Sequence, residues 1–405
     1  MMRLVYLSPI PWNSFAQRPH QFVRWFHQQF NAKVLWIDPY PTRLPDMSDV
    51  QRVLASKFAQ TSAIAGTFKE KENPEKADWL TLVKVPALPI EPLPASGFLQ
   101  QWFWRKAMVE IDAFVGNRKA QIVVGKPSKL ALQVLARYPE MASMYDAMDD
   151  FPAFYEGWSS KAMQYTEDNL AAKVNKIVVS SSAVSRFSEQ ADKLSLILNA
   201  CDSDNLPPAL PRSEQSPVYG YVGTIGHWFD WDAVVKLASS LINTDPRALV
   251  RLIGPVFTPP PCALPKNVQI LPACSHARAM QAMQKFSVGL IPFKRKLLTA
   301  SVDPIKYYEY RSLGIPVLSS DFGEMSLRAD EDGVFLYNGD SDFTTLLKTC
   351  LRHRSSADGL SKFRADNSWA ARFAGLIPLF DASADQRGGR RKSAARLEQF
   401  AWQRA

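Results

Sequence analysis

Short apolar runs alternate with amphipathic stretches along almost the whole chain, and this alternation limits the fold more than any other feature of its 405 residues. Runs such as Leu4–Leu7 and Ile177–Ser180 are too short for helices and apolar at nearly every position. They suit parallel strands buried on both faces, with the amphipathic segments covering the sheet as helices. In the first half, strands are predicted near Leu4–Leu7, Val34–Ile37, Leu80–Val85, Ile122–Val124, Met144–Asp146, Ile177–Ser180 and Leu196–Leu198. Helices are predicted over Gln17–Gln29, Gly97–Val115, Lys129–Tyr138, Trp158–Val174 and Ala183–Gln190. A polar, proline-rich stretch, Asn199–Pro217, then reads as a linker.

The alternation restarts after it. Strands are expected near Val218–Val222, Leu249–Ile253, Val268–Leu271, Val288–Pro292, Val317–Ser319 and Val334–Leu336, and helices begin near Asp230, Ser275 and Pro304. Later helices cover Asp342–Arg354 and Ser368–Leu379. The expected fold class is α/β, with two doubly wound domains over 1–199 and 218–365, joined by a linker over 200–217 and followed by a basic tail over 383–405. A cleft between the strand C-terminal ends is where such sheets bind ligands.

The formal charge of +9 invites an anionic partner, but +4 of it lies in the tail, where Arg387, Arg390, Arg391, Lys392, Arg396 and Arg404 face only Asp385 and Glu398. The folded body is mildly basic and carries no zinc-finger, RNP-like or helix-turn-helix signature, so nucleic acid is not an expected partner. Cys201, Cys262, Cys274 and Cys350 are scattered, which points to reduced thiols in the cytoplasm and away from a zinc site or disulfide framework. The apolar run in MMRLVYLSPIPW is too short for a signal peptide, and no stretch approaches the ~18 apolar residues of a membrane span.

The segment Val288–Ser320 reads as strand, basic loop, short helix and second strand. Asp303 is the expected N-cap, Pro304 the first helical residue and Gly314 the left-handed residue at the C-terminus. The loop before the helix holds Lys294, Arg295, Lys296, Thr299 and Ser301, and Lys306 and Glu309 lie one turn apart on the helix itself. Cations, hydroxyls and free N–H groups at a helix start suit a diphosphate, and a carboxylate beside them suits sugar hydroxyls. A salt-bridged surface helix after a solvated loop accounts for the same residues.

Other motifs lie at predicted strand ends. The turn GYVGTIGHWFD offers Gly223, Thr224, Gly226 and His227 to a phosphate or sugar, or is a plain tight turn; its GxxGxxG spacing does not match a dinucleotide fingerprint. After the first strand, Gln17, Arg18 and His20 are expected at the cleft mouth, with Arg18 facing an anionic group and His20 carrying a proton. They also fit the first turn of a helix. Asp146, Asp149 and Asp150 cluster beyond the fifth strand, where mutual repulsion suits a general base, a divalent metal is a second use of such a cluster, and helix capping accounts for one of them. The triplets Asp202-Ser203-Asp204 and Asp340-Ser341-Asp342 read as linker and helix N-cap. Aromatic and cationic residues in Gly97–Met108 and in the tail suit either an anionic membrane surface or, respectively, a helix packed on its own sheet and a disordered extension.

Taken in order, PWNSFAQRPHQFVRWF, YDAMDDFPAF, VVSSSAVSRF, ILNACD, YGYVGTIGHWFDWDAV, RLIGPV, DPIKYYEYRSLGIPVLSS and NSWAARF make the chain from Met1 to about Phe380 resemble bacterial GT-B glycosyltransferases of polysaccharide assembly, of the family-4 type and group 1-like. The resemblance implies two Rossmann-like domains, with the acceptor held mainly by the first and a nucleotide-sugar donor mainly by the second. It implies metal-independent transfer of a sugar to a free or lipid-linked saccharide, for exopolysaccharide, capsule or O-antigen, in the cytoplasm or at the inner face of its membrane. No cofactor is expected, the nucleotide sugar being a substrate. A helix over 366–382 would cross back onto the first domain. Glu309 stands where the family's second glutamate binds the donor ribose, whereas Ser301 stands eight positions earlier, where the first is expected. The departure leaves retaining or inverting stereochemistry open. The expected catalytic residues are His20, Asp149 and Asp150. The donor would meet Gly223, Thr224, Gly226, His227, Lys294, Ser301, Lys306 and Glu309, and the acceptor Gln17 and Arg18, with no metal. The other reading is a non-catalytic nucleotide- or carbohydrate-binding component of the same machinery.

Overall fold

The computed structural model of the chain describes residues 1–380 except 15, 43–76, 94, 183 and 211–215; the basic tail and part of the proline-rich linker lie outside the described residues. Among these residues, β1 (Arg3–Leu7), β2 (Lys33–Ile37), β3 (Leu80–Val83), β4 (Ala120–Val124), β5 (Ser143–Ala147), β6 (Lys176–Val179) and β7 (Leu194–Leu196) form one sheet, ordered β3-β2-β1-β4-β5-β6-β7. All its pairings are parallel. Helices α1 (Arg18–Phe30), α2 (Ser96–Val115), α3 (Lys129–Arg137) and α4 (Gly157–Lys173) connect it.

A second parallel sheet contains β8 (Val218–Val222), β9 (Leu249–Ile253), β10 (Val268–Leu271), β11 (Val288–Ile291), β12 (Val317–Ser320) and β13 (Val334–Tyr337), ordered β10-β9-β8-β11-β12-β13. Its helices are α5 (Trp231–Thr244), α6 (His276–Met283), α7 (Leu297–Ala300), α8 (Ile305–Ser312) and α9 (Gly323–Ser326). Beyond β13 come α10 (Phe343–Arg352), α11 (Ala357–Asp366), α12 (Trp369–Ala374) and α13 (Ile377–Phe380). Strand order reverses between β1 and β4 and between β8 and β11, and both reversals open a crevice at the strands' C-terminal ends.

The uniformly apolar strands are explained by their two buried faces. On β1, Val5 and Leu7 pack with Trp104 and Ile111 of α2, while Leu4 and Tyr6 pack with Phe22 and Phe26 of α1. Each such side chain withdrawn from water contributes roughly 1.5–3 kcal/mol. The segment expected as a helix over Ala183–Gln190 is instead a 3₁₀ stretch, Val184–Lys193, kinked at Phe187 and Gln190. The expected helix over Ser368–Leu379 divides into α12 and α13, and α11 precedes it without having been anticipated.

Around α8 the expected start moves by one residue, the first helical residue being Ile305 rather than Pro304. The N-cap is Pro304, not Asp303. The Asp303 carboxylate is drawn away by better partners: Arg328 Nη2 at 2.8 Å, the Tyr308 hydroxyl at 2.9 Å and the backbone N–H of Asn199 at 2.6 Å. Charge-assisted bonds to a buried guanidinium outweigh a cap. At the other end Gly314, at φ 72°, closes the helix as read from the sequence, with Ile315 N–H on Tyr310 O at 2.9 Å and Gly314 N–H on Arg311 O at 3.0 Å.

The two halves are tied at the hinge. Asn199 also donates its side-chain amide to Asp303 O at 2.7 Å, and Cys201 Sγ lies 2.9 Å from Ser312 Oγ. Helices α12 and α13 lie against α1, where Phe373 and Phe380 meet the rings of Phe22, Trp25 and Phe26. The two aspartate triplets serve structure: Asp202 accepts from Asn205 Nδ2 at 2.9 Å, and Asp342 caps α10 by accepting from Thr344 N–H at 2.9 Å.

Candidate active site

The glycine-rich turn and the basic loop meet at the reversal of the second sheet. Lys294 N–H donates to Trp228 O at 2.7 Å, Asp230 N–H donates to Pro292 O at 2.8 Å, and Phe229 bridges Phe293. Gly223 (φ 156°) and Gly254 (φ 146°) end β8 and β9 so closely that a Cβ on Gly254 would lie 2.1 Å from Gly223 O. Only glycine permits that approach. The N–H groups of Thr224, Gly226 and His227 have no acceptor among the described residues, and His227 is exposed.

Helix α8 passes the end of β8, where its Tyr310 hydroxyl accepts from Val222 N–H at 3.2 Å. The N–H groups of Ile305 and Lys306 are likewise without an acceptor among the described residues. Lys306 Nζ pairs with Glu309 Oε2, so the salt bridge envisaged for a plain surface helix is present. Yet Glu309 is only 6% exposed, and the pair sits at the positive end of the helix rather than on an open face. In the preceding loop, Thr299 Oγ1 donates to Lys294 O at 2.6 Å and folds the chain over α7, leaving Lys294 and Ser301 half-buried.

Across the cleft, Asp149 and Asp150 occupy the loop after β5, both half-buried, and Asp150 O accepts from Ala153 N–H at 3.0 Å to start a 3₁₀ turn, Phe151–Phe154. That turn packs against α7 of the other domain. A second tie spans the cleft where Glu324, on α9, accepts from Ser182 N–H. Glu324 is 5% exposed, and burial raises its carboxyl pKa. Glu324 escaped the sequence reading, although an acidic residue in the first turn after a predicted strand was the available signal.

The first-domain residues expected at the cleft mouth are elsewhere. Arg18 is 1% exposed, with Nε 3.0 Å from Asp146 Oδ1 and Nη1 2.8 Å from Ile197 O. Its charge is held inside the domain, and Asp146, within β5, is buried with it. Gln17 is half-buried at the N-cap of α1. His20 is 2% exposed, with its ring beside those of Trp12 and Trp36. Its Nδ1 accepts from Gln17 N–H at 3.3 Å, so Nε2 carries the proton and donates to Trp12 O at 2.9 Å. Burial lowers its pKa to about 4, away from the near-neutral value expected of a proton carrier.

The sign of this shift gives a test. Between pH 6.5 and about 4 the unfolded chain takes up the His20 proton before the folded chain does, so stability falls as pH falls through that window. The full loss is on the order of 3 kcal/mol. His20→Gln, which keeps an N–H for Trp12 O, is expected to flatten this part of the pH profile in urea unfolding. An unchanged profile would show that His20 does not titrate this way.

What the first domain does present is a recess at its own reversal, lined by Ser8, Asp38, Tyr40, Thr42, Lys126 and Ser128 over Leu7, Ile37 and Leu130. Ser8, Asp38 and Lys126 stand one or two residues beyond the ends of β1, β2 and β4. Their polar character directly after apolar strands was readable, but their convergence was not.

No protein-family model matches the chain, and no curated protein matches it in sequence. Solved structures do match in shape. The catalytic domain of starch synthase IV from Arabidopsis thaliana, bound to ADP and acarbose, is similar at a TM-score of 0.60 and 10% identity, over 95% of this chain and 99% of that one. The apo form of the lipopolysaccharide outer core galactosyltransferase WaaB gives 0.57 and 11%, over 94% and 99%. Anabaena HepE in complex with UDP gives 0.52 and 12%, over 99% and 100%. The fold is GT-B. The second-sheet reversal adjoins the glycine turn and the basic loop, the first-sheet reversal adjoins the recess, and the two halves meet where the turn after Asp149 and Asp150 packs against α7.

Proposed function

We propose that the protein is a glycosyltransferase that moves a hexose from a nucleotide-diphosphate donor to a saccharide acceptor. The acceptor is lipid-linked and belongs to exopolysaccharide, capsule or O-antigen synthesis. One observation carries the reading: the N–H groups of Thr224, Gly226 and His227 in the glycine turn, and of Ile305 and Lys306 at the start of α8, have no acceptor among the described residues, and both segments follow the strands at which the second sheet reverses. Such an array stabilises negative charge where it is already oriented, without reorganisation. The support from relatives is of fold, and two of them were solved with ADP or UDP.

In this reading the donor diphosphate lies against Gly223, Thr224, Gly226 and His227 on one side and Lys294, Ser301 and Lys306 on the other, with Glu309 accepting hydrogen bonds from the ribose. The acceptor hydroxyl oxygen bonds to the anomeric carbon, and its proton passes to the carboxylate of Asp149 or Asp150. The bond from that carbon to the diphosphate breaks, and its electron pair leaves on the diphosphate oxygen, where the helix dipole and the lysines offset the new charge. No metal is called on. His20 has no part in it, since both ring nitrogens are engaged. Arg18 and Gln17 do not reach the acceptor in this reading, and the recess at Asp38 and Lys126 replaces them.

A thermal-shift panel of UDP, GDP, ADP and their sugars tests the donor half. At a hundredfold excess over Kd, one nucleotide is expected to add about 2.7 kcal/mol, a rise of roughly 5–10 °C in Tm. A panel without any shift would overturn the proposal.

A further inference from the structure

Helix α2 has two apolar faces, and only one is used by the fold. Trp104, Ala107 and Ile111 point into the first-domain core at 1%, 1% and 0% exposure. Phe98 and Trp102 are 77% and 75% exposed, Val109 is 60% and Leu99 58%. At about 100° per residue, Phe98, Trp102 and Val109 fall within roughly 40° of one another, opposite the buried row. Packing on the sheet therefore explains the helix but not these four residues. Single exposed apolar residues are ordinary; Phe98 and Trp102 one turn apart, with Leu99 beside them, form a patch that marks a contact surface.

Charge selects the occupant. Arg105 lies on this face itself, between Trp102 and Val109, and Lys106 stands at its side, both exposed; the acidic residues of α2, Glu110 and Asp112, come only after Val109, and Asp112 is paired with Arg137. A second copy docked about a two-fold axis would bring these cations toward their own equivalents. A bilayer rich in anionic lipid pairs the cations with headgroups and takes the aromatic rings at the boundary of the acyl chains. We infer that α2 is an interfacial helix that seats the first domain on an anionic lipid surface.

Position supports this. The N-terminal end of α2 adjoins the recess: Lys129 Nζ donates to Ser96 Oγ at 2.5 Å and to Leu93 O at 3.1 Å, and the neighbouring Ser128 lines the recess with Lys126. A helix lying on the membrane would thus bring the recess close to a saccharide carried on a lipid. This last point rests on the glycosyltransferase reading; the seating of α2 does not.

The test is flotation of the full chain with vesicles of phosphatidylcholine alone and of phosphatidylcholine mixed with phosphatidylglycerol, beside the nucleotide thermal shift. The parent is expected to float with the anionic vesicles and to be released by high salt. Phe98→Ser/Trp102→Ser and Arg105→Glu/Lys106→Glu are each expected to lower the bound fraction's partition coefficient roughly tenfold or more. Their Tm should stay at the parent's value, because all four side chains are exposed. Flotation of Phe98→Ser/Trp102→Ser at the parent's level overturns the inference and points to the tail. So does a concentration-dependent dimer, dissolved by the same variant, in a chain that never floats. Loss of the nucleotide shift with flotation intact would count against the transferase reading and leave the lipid surface standing.

Discussion

Replacing Lys306 by alanine is expected to weaken the binding of a nucleoside diphosphate by ten- to a hundredfold and to leave the affinity for the bare nucleoside unchanged. The reasoning is local. Lys306 stands in the first turn of α8, and its own N–H and that of Ile305 have no acceptor among the described residues, so its ammonium is available to an anion seated there. A hydrogen bond from a charged group contributes about 1.5–3 kcal/mol, which sets the binding loss. In sugar transfer the loss should be larger, roughly 10²–10³ in kcat, because charge on the departing diphosphate grows as the bond breaks. Isothermal titration with the nucleoside and its diphosphate separates the two effects. Lys306 also holds Glu309, so Lys306→Arg is the control that keeps a cation beside that carboxylate. If the alanine variant binds the diphosphate as tightly as the parent, Lys306 is a surface residue in a salt bridge and the leaving-group role is lost.

The second large effect concerns stability. Arg18→Met is expected to cost about 3–5 kcal/mol in urea unfolding, because it strands a buried carboxylate. Asp146 is 1% exposed, and burial already pushes its pKa upward against the opposing pull of Arg18. The guanidinium also satisfies Ile197 O and approaches Asn199 Oδ1 at 3.3 Å, so it ties α1 to β5 and to the start of the hinge. Removing both charges in Arg18→Met/Asp146→Leu should return much of the loss, since an apolar pair of similar volume can replace a buried ion pair. An Arg18→Met protein as stable as the parent but deficient in saccharide binding would reverse the assignment and make Arg18 an acceptor contact.

These two residues show what could be read early and what could not. The contact of Lys306 with Glu309 and the place of Lys306 in the first turn of α8 follow from spacing on one helix after a strand. Arg18 and His20 were found by the same rule, at the start of the helix after β1, and there it misled. Nothing nearby in sequence indicates that Asp146, 128 positions away, would take the guanidinium, or that Trp36 would cover the imidazole. Asp303 failed as a cap for the same reason, its carboxylate being claimed by Arg328 and Asn199. Ser8, Asp38 and Lys126 lie on three separate connections, and only strand order makes them neighbours.

The sequence by itself determined the parallel α/β class, because short strands buried on both faces are apolar at nearly every position, and it determined the left-handed end of α8 at Gly314, which is a matter of a few consecutive residues. Only the tertiary structure decided which polar side chains face the cleft and which are consumed inside the domains. A buried charge must find a partner wherever the chain provides one, and that partner is set by strand order and domain contact, over separations that local pattern does not record.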